Sequence, residues 1–405
     1  MQKNVLIVAD VYPPEVSSAS HLMSELANGL KKRGHNVFVA TAYPRHYLVE
    51  KSSQEDFPVL ADENGIKVLR IKILPNHKVS FFVRGLSQLT LPWLFSRAIR
   101  KNIPEKIDSV FVYSPPLPMG LVGIMVKKRF GAKLILNLQD IFPQNAIDLG
   151  ILKNRLIISF FEKLEKRIYR QADLITFNSE GGRRFLIEKK GILENRIITL
   201  FNWVDLNPYD DLGCDISFRK QWGLDGKFVF LFAGIMGPAQ GLDFIVEVAK
   251  SIVDLKEAVF LLVGEGMEKE KTRKMAEKYN LSNIIFKPFV SKEEYPCLVK
   301  AADVGLVCLS IKNKTPFLPG KFLGYLAAQK PVLAFLNKES DGFSLIDEAI
   351  CGRAVLAGNK EEAVLAIRQF IEDQKRTTSL GINGRRYLES HFAAEVIFDK
   401  IEKIL

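Results

Sequence analysis

Short β-rich runs alternate with amphipathic helical runs along this 405-residue chain, and the alternation starts over once, midway. Strands are read at Val5–Val8, Asn36–Thr41, Val68–Ile73, Ser109–Tyr113, Lys133–Leu138, Leu174–Asn178 and Ile197–Leu200. Helices are read at His21–Lys32, Leu117–Arg129, Arg155–Arg170 and Glu180–Lys190. A second series follows, with strands Phe228–Phe232, Val259–Val263, Ile284–Lys287, Val304–Cys308, Val332–Phe335 and Ala354–Leu356 separated by helical runs. Strand–helix alternation implies a parallel sheet with helices on both faces. The join is the polar stretch Asn202–Leu224, with Pro208, Gly213 and Gly223. The expectation is an α/β chain of two doubly wound, Rossmann-like domains facing a central cleft, 1–205 and 206–384, with a helix 385–405 packing back on the first. Ligands of such sheets bind beyond the C-terminal strand ends, so chemistry is sought in the loops that follow strands.

A chain that is 47% hydrophobic can bury two large cores. Cys214, Cys297, Cys308 and Cys351 lie far apart without CxxC spacing, which argues against a zinc site or a disulfide framework and fits a reducing compartment. Met1-Gln-Lys-Asn leads straight into a strand without signal-peptide flanks, and no apolar run approaches the ~18 residues of a membrane span. A cytoplasmic protein, peripheral on the inner face of the membrane, is expected. The net charge of +11 is uneven: Gly65–Pro104 has no acid but eight basic residues, Lys67, Arg70, Lys72, Lys78, Arg84, Arg97, Arg100 and Lys101, among Phe81, Phe82, Trp93, Leu94 and Phe95. That mixture suits an anionic membrane surface. A core-packed helix with a basic outer face is the alternative; nucleic acid lacks a supporting motif.

Three loops stand out. The first strand is followed by Tyr12-Pro-Pro-Glu15 and by Ser17, Ser18 and His21, where Ser17 or Ser18 can cap a helix. Asp140 leaves a buried strand in Gln139-Asp140-Ile-Phe-Pro143, placed for catalysis or hydroxyl binding, or alternatively as a turn former. In the second half, Gly237-Pro-Ala-Gln240-Gly241 and Gly264-Glu265-Gly266 follow successive strands, and glycines there allow backbone N–H groups to approach an anion. Lys321, after the turn Pro319-Gly320, adds a point charge suited to diphosphate on the same edge.

With these elements in view, the chain resembles retaining glycosyltransferases of family 4, whose two-domain fold is called GT-B. Tyr12-Pro-Pro-Glu15, Arg33-Gly-His-Asn-Val37, Gln139-Asp-Ile-Phe-Pro143, Phe201-Asn-Trp-Val-Asp205, Gly237–Gly241, Gly264-Glu-Gly266 and Ala302-Asp303 carry the likeness almost end to end. It is nearest to the bacterial surface-polysaccharide group that includes L-fucosamine transferases. The resemblance implies a UDP-type nucleotide-sugar donor held by the second domain at Gly237, Gln240, Gly241, Gly264, Glu265, Gly266 and Lys321. The transferred sugar would be N-acetylated or deoxy. It also implies a glycan or polyprenyl-diphosphate-linked acceptor at Glu15, Ser17, Ser18 and His21, with Asp140 and Lys321 catalytic. No metal cofactor is expected, since no DxD pair follows a strand and the lysine would replace the ion.

Two departures matter. The glutamate pair usual in the family falls on Pro316 and Gly324, and the Arg/Lys pair after the first donor-domain strand is replaced by the glycine loop. Glu339 and Asp341 are candidates for the lost ribose contact, unless they only form a solvated turn. Two alternatives stay open: a sugar-nucleotide epimerase on the same architecture, which would need no acceptor or membrane patch, and a non-catalytic partner subunit of another transferase, which the missing glutamates suggest.

Overall fold

The computed structural model describes residues 1–15, 17–44, 57–74, 81–210, 214 and 217–405, leaving aside the side chains of 81–84 and 86. Two compact units are present, 1–202 with 397–405, and 203–396.

In the first unit the strands are β1 (Asn4–Val8), β2 (Asn36–Ala42), β3 (Leu60–Glu63), β4 (Ile66–Ile71), β5 (Ser109–Ser114), β6 (Lys133–Leu138), β7 (Leu174–Phe177) and β8 (Ile197–Thr199). They form one sheet in the order β3-β4-β2-β1-β5-β6-β7-β8. Every pair is parallel except the edge pair β3–β4. The helices are α1 (Ser18–Lys32), α2 (Phe81–Asn102), α3 (Met119–Phe130), α4 (Gln144–Asp148), α5 (Arg155–Gln171) and α6 (Glu180–Lys190).

The second unit opens with the short helices α7 (Asn207–Asp210) and α8 (Phe218–Gln221). Its sheet comprises β9 (Phe228–Ala233), β10 (Ala258–Val263), β11 (Ile284–Lys287), β12 (Val304–Cys308), β13 (Val332–Leu336) and β14 (Gly352–Leu356), in the order β11-β10-β9-β12-β13-β14. All its pairs are parallel. Its helices are α9 (Leu242–Lys250), α10 (Lys269–Lys278), α11 (Tyr295–Ala301), α12 (Lys321–Ala327), α13 (Gly342–Ala349), α14 (Lys360–Glu372) and α15 (Gln374–His391). β9, Phe-Val-Phe-Leu-Phe-Ala, and β10 are buried at every position. Such continuous apolar strands are what a parallel sheet covered on both faces requires.

The stretch expected as one helix, 385–405, is the end of α15 followed by α16 (Ala394–Ile404). The break has a cause in backbone bonding. Phe392 is buried and its carbonyl accepts from the Val204 N–H at 3.1 Å, while the Val204 carbonyl accepts from the Ala394 N–H at 3.1 Å. The end of α16 belongs to the first unit. Phe398 packs where a Cβ on Gly29 of α1 would be, Arg33 pairs with Asp399 at 3.0 Å, and the Ser109 hydroxyl donates to the Leu405 carbonyl at 2.8 Å.

The cysteine reading needs correction. Cys214 and Cys297 are joined by a disulfide with their Cα atoms 5.7 Å apart, and Cys308 and Cys351 are free and buried. The pair is separated by 83 residues in sequence, and only the packing of α11 against α7 and α8 brings these segments together. No local spacing rule detects such a pair.

Candidate active site

β9 begins the second sheet and has β10 on one side and β12 on the other. The chain therefore leaves it in two directions, and the crevice at the C-terminal ends of β9 and β12 is the topological switch point. Lys321, the first residue of α12, reaches into it. Its Nζ donates to Gln240 Oε1 at 2.7 Å and stands 4.6 Å from the centroid of Phe232, near the end of β9. Its Cε lies 3.1 Å from where a Cβ on Gly234 would be, so the glycine leaves room for the lysine stem.

Burial pushes the Lys321 pKa down to about 8, the nearby Cys308 thiol offsetting this slightly. The group is still mainly ammonium at pH 7. No carboxylate forms an ion pair with it among the described residues; an amide oxygen and a ring face are its company. A cation desolvated in this way is unfavourable alone and gains when an anion arrives. Because α12 spans only seven residues, the lysine's point charge, rather than a helix dipole, is what this position offers to an anion.

The two glycine loops have a packing function. A Cβ on Gly264 would lie 1.9 Å from the Gly234 carbonyl oxygen, and one on Gly266 would lie 2.3 Å from that of Met236. Gly234 N–H donates to Val263 O at 2.9 Å, and Met236 N–H to Glu265 O at 2.8 Å. Gly264 and Gly266 therefore let the loops lie on each other and set the floor beneath Lys321. Gly241, at φ 58°, approaches the backbone of Ser310. The Gln240 N–H is taken by Gly237 O at 3.0 Å within a 3₁₀ turn, Pro238–Gln240, while a Cβ on Gly237 would meet almost nothing. Of the expected donor residues, Gln240 and Lys321 are in contact, with Gly237 and Gly241 bounding the same loop. Glu265 is held by Lys269 at 2.5 Å. Glu339 is exposed past the end of β13 and accepts from the buried Asn337 amide at 3.1 Å; Asp341 precedes α13. At the positions of the usual glutamates stand Pro316, in the loop before α12, and Gly324, buried within α12.

The first sheet has its own switch point, between β1 and β5. Asp140 follows β6, and its carboxylate is solvent-accessible yet crowded enough by protein to raise its pKa. Tyr113, at the end of β5, is buried and its pKa is raised by burial and then by the charges of Asp140 and Asp10. A polar network fixes this edge: Asn137 donates to Thr176 Oγ1 at 2.8 Å, Gln139 to Asn137 Oδ1 at 2.8 Å, and both Asn178 and Asn202 donate to Gln139 Oε1, at 3.1 and 2.8 Å. This chain of amide hydrogen bonds braces the Asp140 loop, while Asn178 Oδ1 and Asn202 Oδ1 are buried without a partner among the described residues. Asp10, Tyr113 and this network were not anticipated; the signal was Asn137 inside the otherwise apolar run Leu-Ile-Leu-Asn-Leu.

In the loop after β1, Glu15 is buried, Ser17 caps α1 by accepting from the Ser20 N–H at 3.2 Å, Ser18 is exposed and His21 is half-buried. Buried Arg70 braces this loop by donating to the Pro13 carbonyl at 3.1 Å and pairing with Glu63. Arg70 therefore does not belong to a solvent-facing basic patch. Phe95 is likewise fully buried, because α2 packs on β4 and α3 and that residue faces the sheet. Trp93 is 64% exposed, and Arg97 and Arg100 are on the surface. Lys78 and the side chains of Phe81, Phe82 and Arg84 lie outside the described residues. A second apolar and basic surface occurs on α5, where Leu156 and Phe160 are exposed beside Lys153, Arg155 and Lys163. No helix among the described residues is long and apolar enough to cross a membrane.

Two family models match successive parts of the chain: the glycosyl transferase 4-like domain over 19–203, and glycosyl transferases group 1 over 215–387. The chain belongs to this glycosyltransferase family, has the GT-B class of fold, and is an enzyme of that kind. It is 26% identical over 335 residues (80% of this chain, 81% of the relative) to WcaI of Escherichia coli (strain K12), a glycosyl transferase assigned to colanic acid biosynthesis. Among solved structures it is similar to sucrose-phosphate synthase from Thermosynechococcus elongatus, at TM-score 0.80 and 15% identity over 100% of this chain and 98% of that one. It is also similar to Anabaena HepE in complex with UDP-glucose, at TM-score 0.75 and 17% identity over 100% and 99%.

Proposed function

We propose that this glycosyltransferase moves a sugar, N-acetylated or deoxy, from a UDP-type donor to a glycan or polyprenyl-diphosphate-linked acceptor in bacterial surface-polysaccharide synthesis, with retention at the anomeric carbon. One observation carries the reading: a desolvated lysine with no carboxylate partner among the described residues, at the switch point of the second sheet. There a diphosphate supplies the missing countercharge, and the ammonium stabilises charge that grows on the leaving group. A resident metal is then not needed. The departing phosphate oxygen takes the proton of the acceptor hydroxyl on the face it leaves. Asp140 orients that hydroxyl by accepting a hydrogen bond from it. UDP in the HepE complexes and the polysaccharide assignment of WcaI support the donor and pathway classes.

The test is a transfer assay with purified protein, a panel of UDP-sugars and a short lipid-linked glycan. Product with the donor's anomeric configuration is expected. Release of an altered free sugar without acceptor would replace the reading by an epimerase, and absence of turnover and of UDP binding by a partner subunit.

The acceptor's lipid places the enzyme on the inner face of the cytoplasmic membrane in this proposal. Trp93 with Arg97 and Arg100 on α2, and Leu156, Phe160 and Arg155 on α5 with Lys153 just before it, are the surfaces that support it. Each basic residue contributes about 1 kcal/mol near anionic lipid, and salt screens the attraction. Binding to anionic vesicles that weakens with salt is expected; equal binding to neutral vesicles, or none, would contradict it.

A further inference from the structure

Gly324 lies one helical turn beyond Lys321, on the neighbouring part of the same helix face. It is buried, and the space beside it is filled from another helix: a Cβ at 324 would stand 2.6 Å from Tyr295 Oη and 2.9 Å from its Cε1. Tyr295 is the first residue of α11 and lies close enough to Tyr325 to add to the cost of ionising that buried phenol. The two hydroxyls differ in their bonding. Tyr325 accepts from the Ala233 N–H at 3.1 Å and donates to the Leu306 carbonyl at 3.3 Å, so it is spent inside the fold. The Tyr295 hydroxyl makes no hydrogen bond to a described residue, although its backbone N–H donates to Ser291 O at 3.1 Å. Burial raises its pKa, which keeps it a neutral O–H that can both donate and accept.

We infer that Tyr295 is a donor-specificity residue: its hydroxyl, admitted by the missing side chain at Gly324, hydrogen-bonds a carbohydrate hydroxyl of the nucleotide sugar whose diphosphate is held by Lys321. The inference rests on the Lys321 reading and deepens it. A hydroxyl partner fits because a neutral phenol matches a neutral ligand group, and because a crowded phenol left unbonded would cost free energy that a ligand hydroxyl recovers. Any side chain at 324, a glutamate included, would need the same volume. The glycine and the tyrosine therefore act as a pair.

Calorimetric titration of wild type, Tyr295→Phe and Gly324→Ala with UDP, UDP-N-acetylglucosamine and inorganic pyrophosphate tests this. Tyr295→Phe removes only the hydroxyl, while Gly324→Ala keeps it and displaces it. Both are expected to weaken the nucleotide about tenfold, the loss of one buried hydrogen bond, and to leave pyrophosphate unchanged. Weakening of UDP assigns the contact to the ribose; weakening of UDP-N-acetylglucosamine alone assigns it to the transferred sugar. Unchanged affinity for both nucleotides, or equal weakening of pyrophosphate, would overturn the inference. Lys321→Met separates this failure from failure of the diphosphate site. If that variant binds pyrophosphate as wild type does, the lysine reading falls, and the tyrosine inference with it.

Discussion

Lys321→Met is expected to make the protein more stable and less able to bind its donor. In the folded chain the Lys321 pKa is pushed down from 10.5 to about 8 by burial. The folded state therefore holds the charged form at a disadvantage of about 3 kcal/mol relative to the unfolded chain, at about 1.4 kcal/mol per pKa unit. The sign follows from proton binding. Below pH 8 the lysine is charged in both states and the penalty is complete. Between pH 8 and 10.5 the unfolded chain holds more protons, so wild-type stability rises with pH as the penalty fades. Methionine has a similar length and no charge, and it loses the bond to Gln240 and the contact with Phe232. The net gain expected at pH 7 is about 1–2 kcal/mol once about 1 kcal/mol is allowed for that hydrogen bond. Urea unfolding at pH 7 and pH 10 reads it, as a shift of the second unit's midpoint present at pH 7 and much reduced at pH 10. UDP titration of the same samples should show affinity lowered about ten- to hundredfold, the usual worth of a charge-assisted contact. A variant less stable than wild type at pH 7, with UDP affinity unchanged, would refute the reasoning.

Donor affinity of the wild type should fall about fivefold between pH 8 and 9 as the free protein's Lys321 loses its proton, a slope set by one-proton linkage and read by titration in matched buffers; a flat profile there would count against the lysine. Asp140→Asn should lower kcat for transfer while leaving UDP affinity within about twofold, since no donor contact is assigned to it; loss of UDP binding with full turnover at saturating donor would place the residue on the wrong substrate. For the disulfide, alkylation of denatured, unreduced protein followed by mass measurement should modify Cys308 and Cys351 only, and reduction should expose Cys214 and Cys297; four modified cysteines before reduction would remove the bridge.

The architecture was legible because strand and helix periodicity survives in a single sequence. β9 and β10 are uninterrupted apolar runs, and each is followed by glycine and then a helix. The switch-point lysine was also legible, as a lone cation after Pro319-Gly320 on the edge that carries two glycine loops. Its actual partners were not, because Gln240, Phe232 and Cys308 come from other loops and strands and meet it only through the order β9-β12. The same limit hid the Cys214–Cys297 bridge and the burial of Arg70 and Phe95, which local composition placed on a basic surface. Gly264 and Gly266 show the converse ambiguity. Glycine after a strand is equally the sign of a ligand approaching and of one loop lying on another, and here the backbone of Gly234 and Met236 is what approaches. In sequence Gly324 reads as a lost carboxylate; in the structure Tyr295 fills the space beside it.

The claim at the centre of this account is that Lys321 holds the donor diphosphate at the β9–β12 switch point. A crystal structure of the protein with UDP tests it most directly. The account predicts a phosphate oxygen within hydrogen-bond distance of Lys321 Nζ, with the Gln240 amide shared or displaced. Diphosphate bound at any other part of the second unit, with the Lys321–Gln240 bond intact and dry, would contradict it.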